Sequence, residues 1–370
     1  MKMGENKKFK FDVVIGNPPY QEETIETNTD RDSMTRNVRV KSIFQLFQES
    51  ADQISSEYTD LIYPGGRWIH QAGKGLQNFG YKQINDIHLD KLIFYPNAND
   101  VFPGIQVADG ISIVIKDVRK TIPGFEYIYV KNGIQESVEV DNPGEQLLIL
   151  NPKDLAICNK IDKFVVKNKL KYLHDSVLSQ KFFQIESSFV TDHPDLVTPC
   201  TKDTQITDPN QVKLFTNDKA GKTGRARWFL TTKDAIPVNR EFISQWQVVV
   251  SSANAGGQKR DNQLEIIDNH SAFGRSRVAL KSFKRKEEAS NFYKYMKTYL
   301  VRFSFLMTDE SLTALGKRVP DLLDYSAENK FVDFNDDLNQ QLYQLIGLNS
   351  EEIQYLENRV KNIRNKKEMA

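Results

Sequence analysis

Cysteine is scarce in this sequence. Cys158 and Cys200 are the two in 370 residues, and they lie far apart. That excludes a disulfide framework and a cysteine-rich zinc site. Histidine is also rare: five residues, scattered, with no His-x-x-x-His pair, so no metal ligands are assigned. No apolar run approaches the roughly 18 residues of a membrane span. The first ten residues, MKMGENKKFK, hold no apolar signal core. The expectation is a reduced, cytoplasmic protein with no membrane partner. Charge of one sign is lacking too. A formal net charge of +1 neither demands nor excludes nucleic acid, so the distribution of charge has to decide.

What is present is an ordinary globular balance, 39% hydrophobic and 27% charged, long enough for two domains of roughly 100–200 residues each. Aromatics reach 11%, with 22 Phe and 14 Tyr, which suits packed cores and surfaces that stack on bases. FKFDVVIG, residues 9–16, is a short β-branched run that stops at Asn17, and it reads as a buried strand. A polar loop is expected from Gln21 to about Arg39. Ile43, Phe44, Leu46, Phe47, Ala51 and Ile54 recur at helical spacing, predicting a helix over 40–56. Strands are expected at 59–63, 87–95 and 110–116, with Pro64-Gly65-Gly66 breaking the first. This succession suits half of an α/β sheet with crossover helices.

The texture changes over 118–150, where Gly124, Gly133 and Asn142-Pro143-Gly144 suggest hairpins. Residues 191–212 read as a long loop, 247–251 as a strand, and 285–306 as one helix. Leu338–Leu345 and Ser350–Asn362 read as two more helices, with Ser350 capping the second.

Chemistry concentrates at Asn17-Pro18-Pro19-Tyr20, directly after the first strand. A side-chain amide oxygen and a main-chain carbonyl beside it can each accept one hydrogen of an amine. The prolines fix the backbone so that the carbonyl points one way, and Tyr20 offers a π face. Two further blocks follow in the chain: Tyr63-Pro64-Gly65-Gly66, and Val101-Phe102-Pro103-Gly104 before GISIVIK.

These three blocks, in this order, resemble the amino-directed DNA methyltransferases. The match is to the adenine-specific enzymes of restriction–modification systems, of the TaqI-like gamma class. The resemblance implies a partial Rossmann-like methyltransferase sheet in residues 1–120. A mixed α+β DNA target-recognition domain would fill residues 121–370. It implies methyl transfer from S-adenosylmethionine to the 6-amino group of adenine in double-stranded DNA. Asn17 and Pro18 would accept the amine hydrogens, with Pro19 holding the turn. Tyr20 and Phe102 would stack on the two faces of an extruded base. Stretches 246–257, 287–303 and 336–357 also resemble the C-terminal part of large restriction–modification methylases.

The sequence departs from the family at the cofactor. The Gly-rich turn and acidic residue that hold S-adenosylmethionine should precede Asn17, where 16 residues contain one strand. Gly73, Gly75 and Gly80 have the wrong spacing, and Ala255-Gly256-Gly257 lacks an acidic partner. A missing N-terminal portion or a second polypeptide is expected to supply the motif. FDVVIG would then be a hydrophobic sheet edge open to pairing.

Nine Lys/Arg fall within 211–260, with Gly221, Gly224, Gly256 and Gly257 among them. Lys222, Arg225, Arg227, Lys259 and Arg260 are the candidate phosphate contacts there. Arg275, Arg277 and Lys281 come from a second basic cluster. Pro320-Asp321 with Glu328-x-Lys330 is too short for a nuclease metal motif, and no nuclease activity is assigned to the chain. An associated restriction endonuclease remains a candidate partner. Three alternatives stay open: a non-catalytic DNA-recognition subunit, a protein or RNA amine methylase, and a cytosine-amine methylase.

Overall fold

The structure is a computed structural model that describes residues 10–27, 36–70, 75–140, 148–308 and 312–365. The chain divides into two units, Met1–Leu155 and Ala156–Ala370.

The first unit opens with β1 (Phe11–Gly16), followed by the antiparallel pair β2 (Gln21–Thr27) and β3 (Arg36–Ser42). Then come α1 (Phe44–Ile54), β4 (Ser55–Pro64), α2 (Gly66–Ile69), α3 (Gln77–Ile84), β5 (Leu89–Tyr95) and β6 (Ile111–Asp117). The hairpin β7 (Phe125–Lys131) and β8 (Ile134–Val140) completes the unit. One six-stranded mixed sheet runs β1-β4-β6-β5-β7-β8. β1 pairs parallel to β4 and β7 parallel to β5, while β6 is antiparallel to both its neighbours. The hairpin after residue 118 therefore continues the same sheet, through an Asn132-Gly133 turn with both φ positive, 51° and 75°.

Two expectations are corrected in this unit. The polar loop after Tyr20 is a hairpin, with Gln21 opposite Ser42 and Thr27 opposite Arg36. The first strand is no buried strand: Phe11, Val13 and Ile15 are 51%, 52% and 73% exposed. It lies at the sheet edge, as expected for a strand lacking one neighbour. Gly73 and Asn142-Pro143-Gly144 lie outside the described residues.

Alternation along β4 decides what each face meets. Tyr63 is fully buried and stacks on Phe44 of α1 at 4.8 Å. Trp68 of α2 and Phe79 of α3 close around it at 6.0 and 6.4 Å. The helices thus cover one face. The other carries Val13 and Ile15 of β1, Asp60 and Ile62 of β4, and Ile113 and Ile115 of β6, in register. The last four are half-buried.

Helix α4 (Pro152–Lys167) crosses into the second unit, which continues with β9 (Lys171–Tyr172), α5 (Phe189–Asp192), β10 (Thr198–Cys200), β11 (Gln211–Asn217) and β12 (Ala226–Thr232). Next are β13 (Trp246–Ser251), β14 (Glu265–Ile267), β15 (Ser271–Phe273), β16 (Arg277–Phe283), α6 (Lys286–Met296) and α7 (Tyr299–Leu306). β17 (Pro320–Asp321), α8 (Leu338–Ile346) and α9 (Ser350–Asn365) end it. Two small sheets, β10-β12-β11-β15 and β14-β13-β16, share a core that includes Leu214, Phe215, Val249, Ile267, Phe273 and Ala279.

The helix expected over 285–306 is two. Thr298 adopts an extended conformation and its hydroxyl accepts the Val301 N–H, starting α7 afresh. Asn349, not Ser350, caps α9. Its side chain accepts the Glu352 N–H at 2.9 Å, and Glu352 accepts the Asn349 N–H at 2.8 Å, a reciprocal capping box.

Candidate functional site

Asn17-Pro18-Pro19-Tyr20 leaves the end of β1, where Gly16 lies beside Leu61 of β4. Asn17 and Pro19 are exposed, Pro18 is buried and Tyr20 is half-buried. The Tyr20 carbonyl accepts the Ile43 N–H at 3.1 Å. That bond closes the ladder begun by Gln21 and Ser42, so the hairpin clamps the motif from behind. Burial pushes the Tyr20 hydroxyl above its ordinary value, and the Asn17 side chain offsets part of that rise.

Strand registers place Phe102 at the same end of the sheet. Pro64 and Tyr95 both pair with Ile111, so the loop 96–110 spans the end at which β1 and β4 finish. β1 and β6 are two strand spacings apart, roughly 10 Å. Phe102 is half-exposed. The loop is ordered by its own polar groups: Asn97 accepts the Asn99 N–H at 3.2 Å, and Asn99 accepts the Gly104 N–H at 3.0 Å. A cleft of about 360 Å³ opens in it, lined by Asn97, Asn99 and Gln106 among others.

Tyr63-Pro64-Gly65-Gly66 has a structural role. The Gly66 N–H donates to the Asp109 carbonyl at 2.7 Å. A Cβ on Gly66 would sit 2.8 Å from that oxygen, and one on Gly65 2.8 Å from the Phe94 ring. The two glycines let the end of the 96–110 loop seat against β4. Sequence reading had missed the ion pairs that fix the covered face. Lys116, almost fully buried, reaches Asp52 and Asp86, each at 2.7 Å. Its signal was an isolated lysine in GISIVIK.

The basic residues of the second unit converge in part. β11 ends at Asn217 where β12 begins, β15 ends beside Phe215, and Ser251 of β13 pairs with Arg277 of β16. The segments 218–225, 252–260 and 274–276 therefore leave the two sheets at one end. Lys222, Arg225, Arg227, Lys259 and Arg260 are exposed there. Arg275 is half-exposed and bonds Glu186 at 2.7 Å. Two candidates do not present charge to solvent. Arg277 is 5% exposed, and Lys281 is ion-paired to the buried Asp321. The Gly256-Gly257 turn is filled by its own neighbours: the Asn254 amide donates to the Arg260 carbonyl at 2.7 Å, and Gln258 lies where a Gly256 Cβ would be. Asp321 also accepts from Tyr325 and Ser176, so the Pro320-Asp321 pair is spoken for structurally.

Residues 2–102 match the family described as Eco57I restriction-modification methylase. The match takes in Asn17–Tyr20, Tyr63–Gly66 and Phe102. An uncharacterized adenine-specific methylase of Mycoplasma pneumoniae is 24% identical over 164 residues, 44% of this chain and 35% of that protein. The chain thus spans about a third of the length of this curated relative. The resemblance to adenine-specific restriction–modification methylases holds. Among solved structures, a modification subunit of a putative type I restriction enzyme from Vibrio vulnificus overlaps 35% of this chain and 28% of its own, at 14% identity and a TM-score of 0.24. The type IIG restriction endonuclease BpuSI overlaps 96% of this chain and 54% of its own, at 10% identity and a TM-score of 0.33. Among the described residues no helix is long and apolar enough to cross a membrane.

Proposed function

We infer that this chain is the amine-holding and DNA-recognition part of a restriction–modification methyltransferase. It acts on the 6-amino group of adenine in double-stranded DNA, and S-adenosylmethionine when bound supplies an electrophilic methyl group. Residues 1–120 carry the amine-holding motif. DNA recognition falls within 121–370, on the exposed basic end of the two small sheets.

One observation carries the reading. Asn17 stands exposed at the end of a parallel strand, next to a proline and a half-buried tyrosine. Oδ1 accepts one amine hydrogen and the Pro18 carbonyl the other. This holds the nitrogen toward a tetrahedral geometry, with its lone pair localised on nitrogen and no longer conjugated into the ring, and the ring of Tyr20 holds the base. One amide, two prolines and a phenol fit a reacting amine. They offer no anion for ribose hydroxyls, so the cofactor's adenosine half is assigned to a preceding segment or a second polypeptide. The open edge of β1 supports that division.

The test is tritiated-methyl incorporation into adenine-containing duplex, with that part supplied. Asn17→Ala should abolish incorporation and leave DNA binding intact. Retained transfer would overturn the assignment. The same open edge favours a second reading, a non-catalytic DNA-recognition subunit, for which DNA binding without any transfer under every supplied partner would be the result.

A further inference from the structure

Arg277 differs from every other basic residue at the DNA-recognition end of the second unit. It is 95% buried by its 5% exposure. Its Nε and Nη1 are sealed from solvent with no hydrogen-bond partner among the described residues. The guanidinium lies 4.4 Å over the ring of Phe215, and that ring stacks on Trp228 at 4.6 Å and 12°. Glu265 is the carboxylate that acts on it, and Glu265 is already paired with Lys202 at 2.8 Å. Burial lowers the Arg277 pKa to about 10, which still leaves it charged at neutral pH.

This arrangement is poor as a structural device. A buried guanidinium normally meets a carboxylate or several carbonyls. Here one face meets a ring, and two nitrogens have no hydrogen-bond partner among the described residues. Ordinary core packing at that position would favour an apolar side chain. The surroundings point to a ligand that arrives. Arg277 opens β16 directly after the 274–276 turn, beside Ser251 and the 252–260 loop. Phe215 and Trp228 lie two residue pairs from the Asn217–Ala226 end of their hairpin, which carries Lys222 and Arg225. The parked charge is therefore next to the exposed cations.

We propose that Arg277 is a stored DNA contact, held on Phe215 in the free protein and transferred to a backbone phosphate when duplex docks at this end. The phosphate offers the anionic acceptors that the stack lacks, and charge-assisted bonds to it are the strong kind. Docking of Lys222, Arg225 and their neighbours brings the phosphate chain close, and the guanidinium exchanges a ring for an oxyanion. The proposal rests on the reading that this unit binds DNA.

Arg277→Met keeps the volume and the contact with Phe215 while removing the charge. It should raise the melting temperature of the free protein. It should also weaken duplex binding roughly tenfold or more and reduce the slope of log K against log salt by about 0.9. Arg277→Lys should recover part of the slope. A lower melting temperature with unchanged affinity would make Arg277 structural and overturn the proposal. A loss confined to one base position, with the slope unchanged, would make it a base-reading residue and overturn the phosphate assignment. If the wild-type chain shows no salt-sensitive binding, the DNA-recognition reading itself fails, and that outcome is separable because it needs no variant.

Discussion

The side chain of Asn17 acts on the hydroxyl of Tyr20, three residues along the same turn, and offsets part of the rise in pKa that burial causes. The acceptor that should hold the amine and the ring that should hold the base thus brace each other. Tyr20→Phe removes the brace and keeps the ring, so transfer should fall less than about tenfold. Tyr20→Ala also removes the stacking surface, worth roughly 1–3 kcal/mol per base, and should cost about 10- to 100-fold more. Because burial raises the Tyr20 hydroxyl above its ordinary value, neither form titrates below about pH 10. The wild-type to Tyr20→Phe rate ratio should therefore be flat from pH 6 to 9, and a ratio that bends in that window would contradict the neutral phenol.

Tyr20 and Phe102 leave the same end of the sheet, and a base extruded from the duplex would meet both. A 2-aminopurine placed at the target position brightens when unstacked and dims when sandwiched. Phe102→Ala should leave it brighter in the complex than the wild type does. Equal intensity in both would return Phe102 to a purely structural role in the 96–110 loop.

Much of the first unit was legible because its signals are local. The β-branched run before Asn17, the apolar spacing of α1 and the Pro-Gly break after Tyr63 each fix one element. The β2–β3 hairpin escaped because QEETIET is too polar to read as a strand. Its partner RNVRVKS does alternate, and pairing sets the register of both. Helices α6 and α7 merged in the sequence because apolar spacing continues across Lys297-Thr298, and only the cap at Thr298 separates them. Arg277 and Lys281 read as surface cations because charge does not reveal burial. Their partners, Phe215 and Asp321, lie 62 and 40 residues away in the chain.

The glycines after Tyr63 make a sharp prediction about that loop. Gly66→Ala puts a methyl 2.8 Å from a backbone oxygen that cannot yield as a side chain would. The cost should be about 1–3 kcal/mol, lowering the melting temperature by roughly 2–10 °C. Gly104→Ala meets nothing within 4 Å but sits at φ +83°, so strain alone should cost it about 1–2 kcal/mol. Calorimetry on both variants separates contact from conformation, and a neutral Gly66→Ala would show that the loop is free to lift from β4.

Lys116 holds two carboxylates on the covered face of the sheet. Burial pushes Asp86 up, but the attraction and hydrogen bond of Lys116 outweigh it, and its pKa ends below the ordinary value. A lowered acid stabilises the fold above its unfolded value of about 3.9 and loses that contribution as pH falls through the folded value. Lys116→Met should leave two partly buried anions facing each other and cost roughly 2–4 kcal/mol at pH 7. The deficit should shrink towards pH 4, where Asp86, without Lys116 to oppose the effect of burial, takes up a proton in the variant. A deficit that grows on acidification would reverse the assigned sign.

The open strand gives the last prediction. β1 pairs on one side with β4, and Phe11, Val13 and Ile15 are all at least half exposed along it. Among the described residues β1 is the sheet's edge, and an edge with this apolar face favours another strand beside it. On the sheet face shared by Val13 and Ile15 lie the half-buried Ile62, Ile113 and Ile115, and Asp60, whose carboxyl burial pushes up. If the cofactor-binding part pairs here, the chain alone should bind S-adenosylmethionine poorly by calorimetry and transfer methyl groups slowly or not at all. Fusing or adding that part should restore transfer to the adenine amine. Ile15→Lys should block the restoration by placing a charge in the new interface, while leaving DNA binding by the second unit unchanged. Restoration that ignores Ile15→Lys would move the pairing surface elsewhere, and tight cofactor binding by the chain alone would place a cofactor site within residues 1–370.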